Sequence, residues 1–301
     1  MINGIIIVNK EKGMTSFSVV SRLRRIFDQK KIGHTGTLDP DATGVLPCCF
    51  GKGTKVVDML TNHTKTYEAV LHLGVTTDTQ DMTGEVLSER EVCTTEEAVR
   101  EAILSFEGDS YQMPPMYSAV KVNGQKLVNL ARKGIEVERK PRLVSFSNIT
   151  IKEIALPDIR FEVTCSKGAY IRTLCHDIGE KLGCGGAMAS LLRVRVGEFS
   201  IDQAYTLSEL EEMKKTMDPK DWPFVISIDA MFPEYPKVKA PSKKAEAKLL
   251  NGLSIYYKPK KEAPLYRVYT MDDEFIGLYA YNEERKWLHL EKSFYDYGDI
   301  T

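Results

Sequence analysis

The sequence has no C-x-x-C pair: its six cysteines stand at 48, 49, 93, 165, 175 and 184, and none of the five histidines lies near them at zinc-ligand spacing. Dithiol redox chemistry and a structural zinc site are therefore excluded, and the thiols read as reduced and mostly packed. No stretch approaches the roughly 18 consecutive apolar residues that a membrane helix needs. The opening "MINGIIIVNK" has a short apolar run with no basic region before it, so neither a signal peptide nor a span is expected, and the protein is read as soluble and cytoplasmic. An excess of one charge is missing too. Lys and Arg total 41 against 42 Asp and Glu, which excludes the bulk basic character of a general nucleic-acid binder and confines any such contact to a local patch.

Familiar chemical motifs are also absent. "GKGT" at 51–54 is too short for a phosphate-binding loop, and no G-x-S-x-G elbow marks a hydrolase nucleophile. Around Asp39 only His34 and Asp41 could join a metal site, so no metal and no cofactor are expected.

What is present is 301 residues with 43% hydrophobic content, enough for one large core and one smaller one. "GIIIVNK" reads as a buried strand. Gly13 then supplies a turn and Thr15 or Ser16 an N-cap for a helix carrying Phe17, Val20, Leu23 and Phe27 at helical spacing. The other side of that helix is basic, either an ordinary solvated face or an RNA-facing patch. "VVDML" suggests a helix, and "KTYEAVLHLGV" alternates with Tyr67, Ala69, Leu71, Leu73 and Val75 on one face. Thr94 with Glu97 predicts a capping box, ahead of a helix through Val99, Ala102, Ile103 and Phe106 that stops at Gly108.

Downstream, "YQMPPMYSAVKVNGQKL" predicts a Pro-Pro turn, a strand and an Asn123-Gly124 turn. Residues 142–165 read as strands, and a helix follows with Ile171, Leu174, Ile178 and Leu182 as its stripe. Clean strand-helix-strand alternation is scarce, which favours an α+β fold with a mixed, largely antiparallel sheet. Pro-rich 230–242 is the expected linker, giving a catalytic domain over 1–235 and a small β-rich domain over 236–301. Between 237 and 261 the latter carries eight lysines against one acid, Glu246, the composition of a module that contacts a phosphate backbone.

The densest unusual stretch is "GHTGTLDPDATGVLP" from position 33. An aspartate in such a loop is ordinarily a turn former, and Asp41 reads that way. Asp39 lies between Leu38 and Pro40, which biases its backbone toward the extended region and fixes its carboxylate. A set geometry is what a nucleophile needs.

This stretch resembles the signature of the TruB family of bacterial tRNA pseudouridine-55 synthases. "NKEKGMTSF", "KTYEAVLHLGVTTDTQDMTGEV", "MPPMYSAVKVNGQKL" with "LARKG", and "CSKGAYIRTLCHDIGEKLGCGG" extend the resemblance in family order through some 200 residues. The C-terminal part is similar to a PUA module. The resemblance implies isomerisation of uridine 55 in the tRNA T loop after the base is flipped out, with a possible accompanying tRNA-folding chaperone role. It implies Asp39 as the nucleophile, attacking either the base or the sugar, and Arg172 of "KGAYIR" as its ion-pair partner.

Tyr67 is implied as a base stack and candidate proton-transfer group, and Tyr170 and Leu191 as walls of the uracil pocket. Stacking on such rings is worth roughly 1–3 kcal/mol per base. Taken singly, a tyrosine at such a position is more often ordinary core, and for Leu191 packing and base contact coexist. His34 is implied as a contact to the opened RNA, occupying the space that the flipped bases leave. No cofactor, no guide RNA and no membrane are implied, and a monomer acting on tRNA is expected. Lys10, Gly13, Pro114, Pro115 and Gly168 read as architectural. The chain departs from the family at Val128, Met188 and Leu192, where Tyr, His and Arg are usual; each change could loosen an RNA contact.

Overall fold

The computed structural model of the chain describes residues 1–295. Strand β1 (Gly4–Lys10) leads into helix α1 (Ser16–Phe27), where the Thr15 hydroxyl accepts the Ser18 N–H at 3.0 Å as the N-cap. Val19, Val20, Leu23, Ile26 and Phe27 form the buried stripe of α1. Phe17, expected on that stripe, is 67% exposed. At about 100° per residue it points about 120° away from the stripe's centre at Leu23.

Strands β2 (Ile32–His34) and β3 (Thr43–Phe50) flank the glycine-rich loop, and α2 (Val57–Thr61) follows after a 3-10 turn. The alternating segment forms β4 (Lys65–Leu73), which buries Ala69, Leu71 and Leu73. A hairpin of β5 (Val75–Thr77) and β6 (Val86–Glu89) precedes α3 (Glu96–Leu104). The cap of α3 is Thr95, accepting from the Ala98 N–H at 3.2 Å, and not the expected Thr94. Starting one residue later still turns Val99, Ala102 and Ile103 inward, and packing of that stripe outweighs the local box.

Strand β7 (Gly108–Gln112) is followed by a small hairpin, β8 (Lys121–Val122) with β9 (Gln125–Lys126). Asn123 and Gly124 turn it with φ of 50° and 80°, the left-handed pair that a two-residue hairpin loop requires. Then come α4 (Leu127–Ala131), β10 (Arg142–Ala155), β11 (Asp158–Cys165) and α5 (Ile171–Lys181). β12 (Gly186–Val196), β13 (Phe199–Ser200) and α6 (Leu207–Thr216) follow.

The nine-stranded sheet runs β1-β3-β12-β4-β11-β10-β7, with β2 on β3 and β13 on β12. Its described pairings are antiparallel except that β12 runs parallel to β3. This is the mixed, largely antiparallel α+β sheet expected from the pattern. One core lies between β4, β11, β12, α3 and α5, and includes Leu38 from the glycine-rich loop. A second joins β1 and β3 to α1 and α6.

The Pro-rich 230–242 stretch is more than a linker. It contains β14 (Lys237–Lys239), which buries Val238 because the flanking lysines point outward in the alternation. α7 (Lys243–Leu250), β15 (Ile255–Tyr256), β16 (Tyr266–Tyr269), β17 (Phe275–Asn282) and β18 (Trp287–Ser293) complete a five-stranded sheet ordered β14-β16-β17-β18-β15. Leu278, Phe294 and the partly buried Phe275 pack with Ile228, Phe232 and Val56 in one cluster, so this sheet shares core with the larger one. All six cysteines are unpaired thiols, Cys93 alone being exposed. Among the described residues no helix is long and apolar enough to cross a membrane.

Candidate active site

A cavity of about 440 Å³ opens where β4, β12, the glycine-rich loop and the N-terminus of α5 converge. Asp39, Tyr67, Tyr170, Arg172 and Leu191 all line it, together with Tyr117, Ser118, Val128, Lys65 and Arg193. Leu38 anchors the loop by burial, and Ser16 ties it down: its hydroxyl accepts the Leu38 N–H at 2.9 Å. On the far side of Asp39, the buried Lys10 Nζ donates to the carbonyl of Pro40 at 2.8 Å. The aspartate is thus clamped from both neighbours.

Arg172 sits in the first turn of α5, its side chain 5% exposed. Its Nε lies 3.0 Å from Asp39 Oδ2, and Nη2 approaches Asp39 Oδ1 at 3.4 Å. The remaining donor directions are taken as well. Nη1 donates to Thr79 O and Nη2 to Tyr117 O, each at 2.9 Å, and Nη1 lies 3.6 Å from Asp81 Oδ2. A guanidinium held by two carbonyls in this way has one orientation in which to meet the carboxylate.

Burial pushes the Asp39 carboxyl above the ordinary aspartate value; Arg172 pulls it back, Asp81 pushes it up again, and Lys10 lowers it. The side chain still has 40% of its surface open toward the cavity, which leaves it accessible to an incoming nucleoside. Burial pushes the Tyr67 phenol up, and Arg193 counters this through its charge and a side-chain hydrogen bond. Tyr67 stands on β4 directly across from Arg193 on β12.

Tyr170 is placed by a reciprocal amide pair. Its N–H donates to Gln112 Oε1 at 2.8 Å, and Gln112 Nε2 donates to its carbonyl at 3.0 Å. Gly168, at φ 93° with open space around it, makes the turn between β11 and α5. Leu191 is buried at the cavity wall. His34 is the exception among the expected site residues: it lies on β2, outside the residues lining this cavity. Its Nδ1 accepts the Gly36 N–H at 3.3 Å, and burial followed by the Arg193 charge lowers its pKa. Asp41, read as a turn cap, makes no side-chain hydrogen bond among the described residues; it lines a neighbouring cavity that Asp39 and Asp81 also border.

Asp81 and Arg193 were not singled out in the sequence. Asp81 lies in the "TDTQDMTG" turn, where its Oδ1 accepts from the Thr79 and Thr83 hydroxyls and from the Thr83 N–H. Arg193 is the second arginine in the site and is 1% exposed. A short signal was available in "LLRVRVG", since Leu191 and Arg193 occupy the same strand face and that face is buried. Among the described residues no cluster of His, Cys, Asp and Glu is arranged to hold a metal ion. What the cavity can do is hold a flat ring between apolar and aromatic walls, against one carboxylate whose direction is fixed.

Comparison with known proteins identifies the family. The family model "TruB family pseudouridylate synthase (N terminal domain)" matches residues 24–171, and "tRNA pseudouridylate synthase B C-terminal domain" matches 172–228. The chain is 45% identical over 280 residues to a tRNA pseudouridine synthase B of Clostridium kluyveri, covering 92% of this chain and 94% of that one. A protein of the same name from Clostridium novyi is 46% identical, covering 96% and 99%. Among solved structures, a Cbf5-Nop10-Gar1 complex contains a chain with 28% identity and a TM-score of 0.71, covering 98% of this chain and 86% of that one. The chain belongs to the TruB family of pseudouridylate synthases.

Proposed function

We propose that this protein converts uridine 55 in the T loop of tRNA to pseudouridine, with Asp39 as the nucleophile and Arg172 as its ion-pair partner. The observation that carries the reading is the pairing of Asp39 with the buried, fully engaged Arg172 in a cavity of base-accommodating size. The uracil is flipped from the loop, and the bond between Asp39 and the nucleoside accompanies cleavage of the glycosidic N–C bond, whose electron pair leaves with the base. The base turns, carbon 5 joins the sugar, its proton departs, and the Asp39 carboxylate is released. Tyr67, Tyr170 and Leu191 hold the ring, and His34 contacts RNA outside the cavity. No external group or redox partner enters this balance.

Residues 236–301 act as a PUA-like module that contacts the tRNA backbone, and the enzyme works as a cytoplasmic monomer without guide RNA. Support for standalone action is the level of similarity: relatives named tRNA pseudouridine synthase B reach 40–48% identity, against 25–28% for chains of an H/ACA RNP and a Cbf5-Nop10-Gar1 complex. The test is incubation of the purified full chain with a T-arm transcript labelled with tritium at carbon 5 of uridine. Tritium release at position 55 with wild type and none with Asp39→Asn is expected. Release by Asp39→Asn at the wild-type rate would remove the nucleophile assignment, and no release by wild type would remove the activity.

A further inference from the structure

Arg193 heads the fully buried large side chains of the described structure, at 1% exposure. A buried charge is ordinarily paired with its opposite. Arg172 obeys that rule with two carboxylates. Among the described residues Arg193 makes no ion pair; its donors go to neutral groups, three of them backbone carbonyls. Nε donates to Val45 O at 2.7 Å, Nη2 to Gly36 O at 3.2 Å and Nη1 to Thr37 O at 3.5 Å.

The placement of those acceptors is specific. Gly36 and Thr37 lead directly into Leu38 and Asp39, and Val45 is on β3, so the guanidinium binds the approach to Asp39 to the sheet. Gly44 permits this closeness. It faces Arg193 across the parallel β3–β12 pair with φ 101°, and a Cβ there would strike the Arg193 backbone. On its other flank Arg193 stands opposite Tyr67, and both line the cavity.

Carbonyl dipoles orient a guanidinium but do not cancel its charge, so the field reaches the cavity. That field contributes to lowering the pKa of His34, Lys10 and Lys65. Arg has donors only, so in any hydrogen bond between them the Tyr67 oxygen accepts, and the phenol proton is left to point elsewhere. Asp39 does not neutralise this second cation, because Arg172 already faces it. An anion formed inside the cavity would. Cleavage of the glycosidic bond produces one, since the electron pair leaves on the uracil and spreads over N1 and its carbonyl oxygens.

We propose that Arg193 is a positioning residue of the isomerisation: it fixes the Gly36–Thr37 approach to Asp39 and holds an unpaired charge behind Tyr67 that stabilises the uracil as it separates from the sugar. The inference rests on the reading of the site as a uridine-isomerising one. It is tested with full-length wild type, Arg193→Gln and Arg193→Lys, by single-turnover conversion of uridine 55 in a T-arm transcript, transcript affinity and thermal melting.

Gln keeps amide hydrogens for the carbonyls and removes the charge. It slows conversion by about 100-fold or more, as loss of an oxyanion-type donor does, with affinity changed by less than about three-fold. Lys keeps the charge and recovers at least about ten-fold of that loss. A Gln variant within about five-fold of wild type, or a folded Lys variant no faster than Gln, overturns the proposal. Should Arg193→Gln not fold, Arg193→Lys decides: a rate within about ten-fold of wild type supports the role, and a larger fall at unchanged affinity overturns it. Wild type that makes no pseudouridine would instead defeat the activity on which the inference rests.

Discussion

Arg172 and Asp39 are 133 positions apart in sequence, yet Nε and Oδ2 meet at 3.0 Å. The guanidinium is simultaneously bound to the carbonyls of Thr79 and Tyr117, so four separate chain segments agree on one geometry. Arg172→Lys retains a positive charge but has no planar fork to bridge two carbonyls and a carboxylate. We expect the single-turnover rate to fall by about 100-fold with tRNA affinity within a few-fold of wild type. Rapid-quench kinetics check this, and a wild-type rate would show that charge alone suffices.

The state of Asp39 sets a pH dependence with a definite sign. Its folded pKa lies above the ordinary aspartate value, chiefly through burial. Attack needs the ionised form, so activity is lost as pH falls through the raised value. Stability runs the opposite way: between the unfolded and the raised folded values the native state holds more protons, so stability falls as pH rises through that window. Asp39→Asn removes this cost. Its melting temperature should exceed that of wild type at pH 7, the difference shrinking in acid, which calorimetry at several pH values measures.

Asp81 provides a separate check, because its carboxylate shares Arg172 with Asp39 and raises the Asp39 pKa. Asp81→Asn removes a negative charge near Asp39 and one anchor of Arg172 Nη1. The acid limb of the pH–rate profile should therefore move to lower pH, while the plateau rate drops by roughly ten-fold as Arg172 loosens. A profile shifted to higher pH would contradict the coupling.

Much of this site was legible as local pattern, and its long-range pairings were not. "KTYEAVLHL" announces a strand by alternation, so placing Tyr67 on the same face as buried Ala69 and Leu71 needed no structure. The partnership of Asp39 with Arg172 joins distant segments and is not carried by periodicity; it came from the resemblance. Asp81 looked like one more polar turn residue, because nothing local distinguishes a carboxylate that caps its own turn from one that also meets a distant guanidinium. The β12 register shifts near Met188 and Arg193 break the alternation along the strand, leaving only the short step from Leu191 to mark Arg193 as inward-facing. At Phe17 and Thr94 the local signals are outweighed by packing, which places the stripe and the cap elsewhere.

The lysine-rich C-terminal segment supplies a prediction that the fold sharpens. Lys237 and Lys239 both pair with Asp273, and Lys237 also lies 4.3 Å from the Tyr269 ring centre. Their charges are partly spent within the protein. Lys258, Lys260 and Lys261 are exposed and make no ion pair among the described residues. Deleting the domain outright would uncover Ile228 and Phe232, which pack with Leu278 and Phe294, so point substitutions are the cleaner probe. Each phosphate that a lysine no longer neutralises should reduce the slope of log K against log salt by about one. Replacing Lys258, Lys260 and Lys261 together with Ala should flatten that slope by up to about three and weaken tRNA binding at low salt. The rate at saturating tRNA should stay unchanged. Lys237→Ala should leave the slope where it was and lower the melting temperature instead. An unchanged slope in the triple variant, measured by filter binding across a salt series, would mean that these lysines do not touch the RNA.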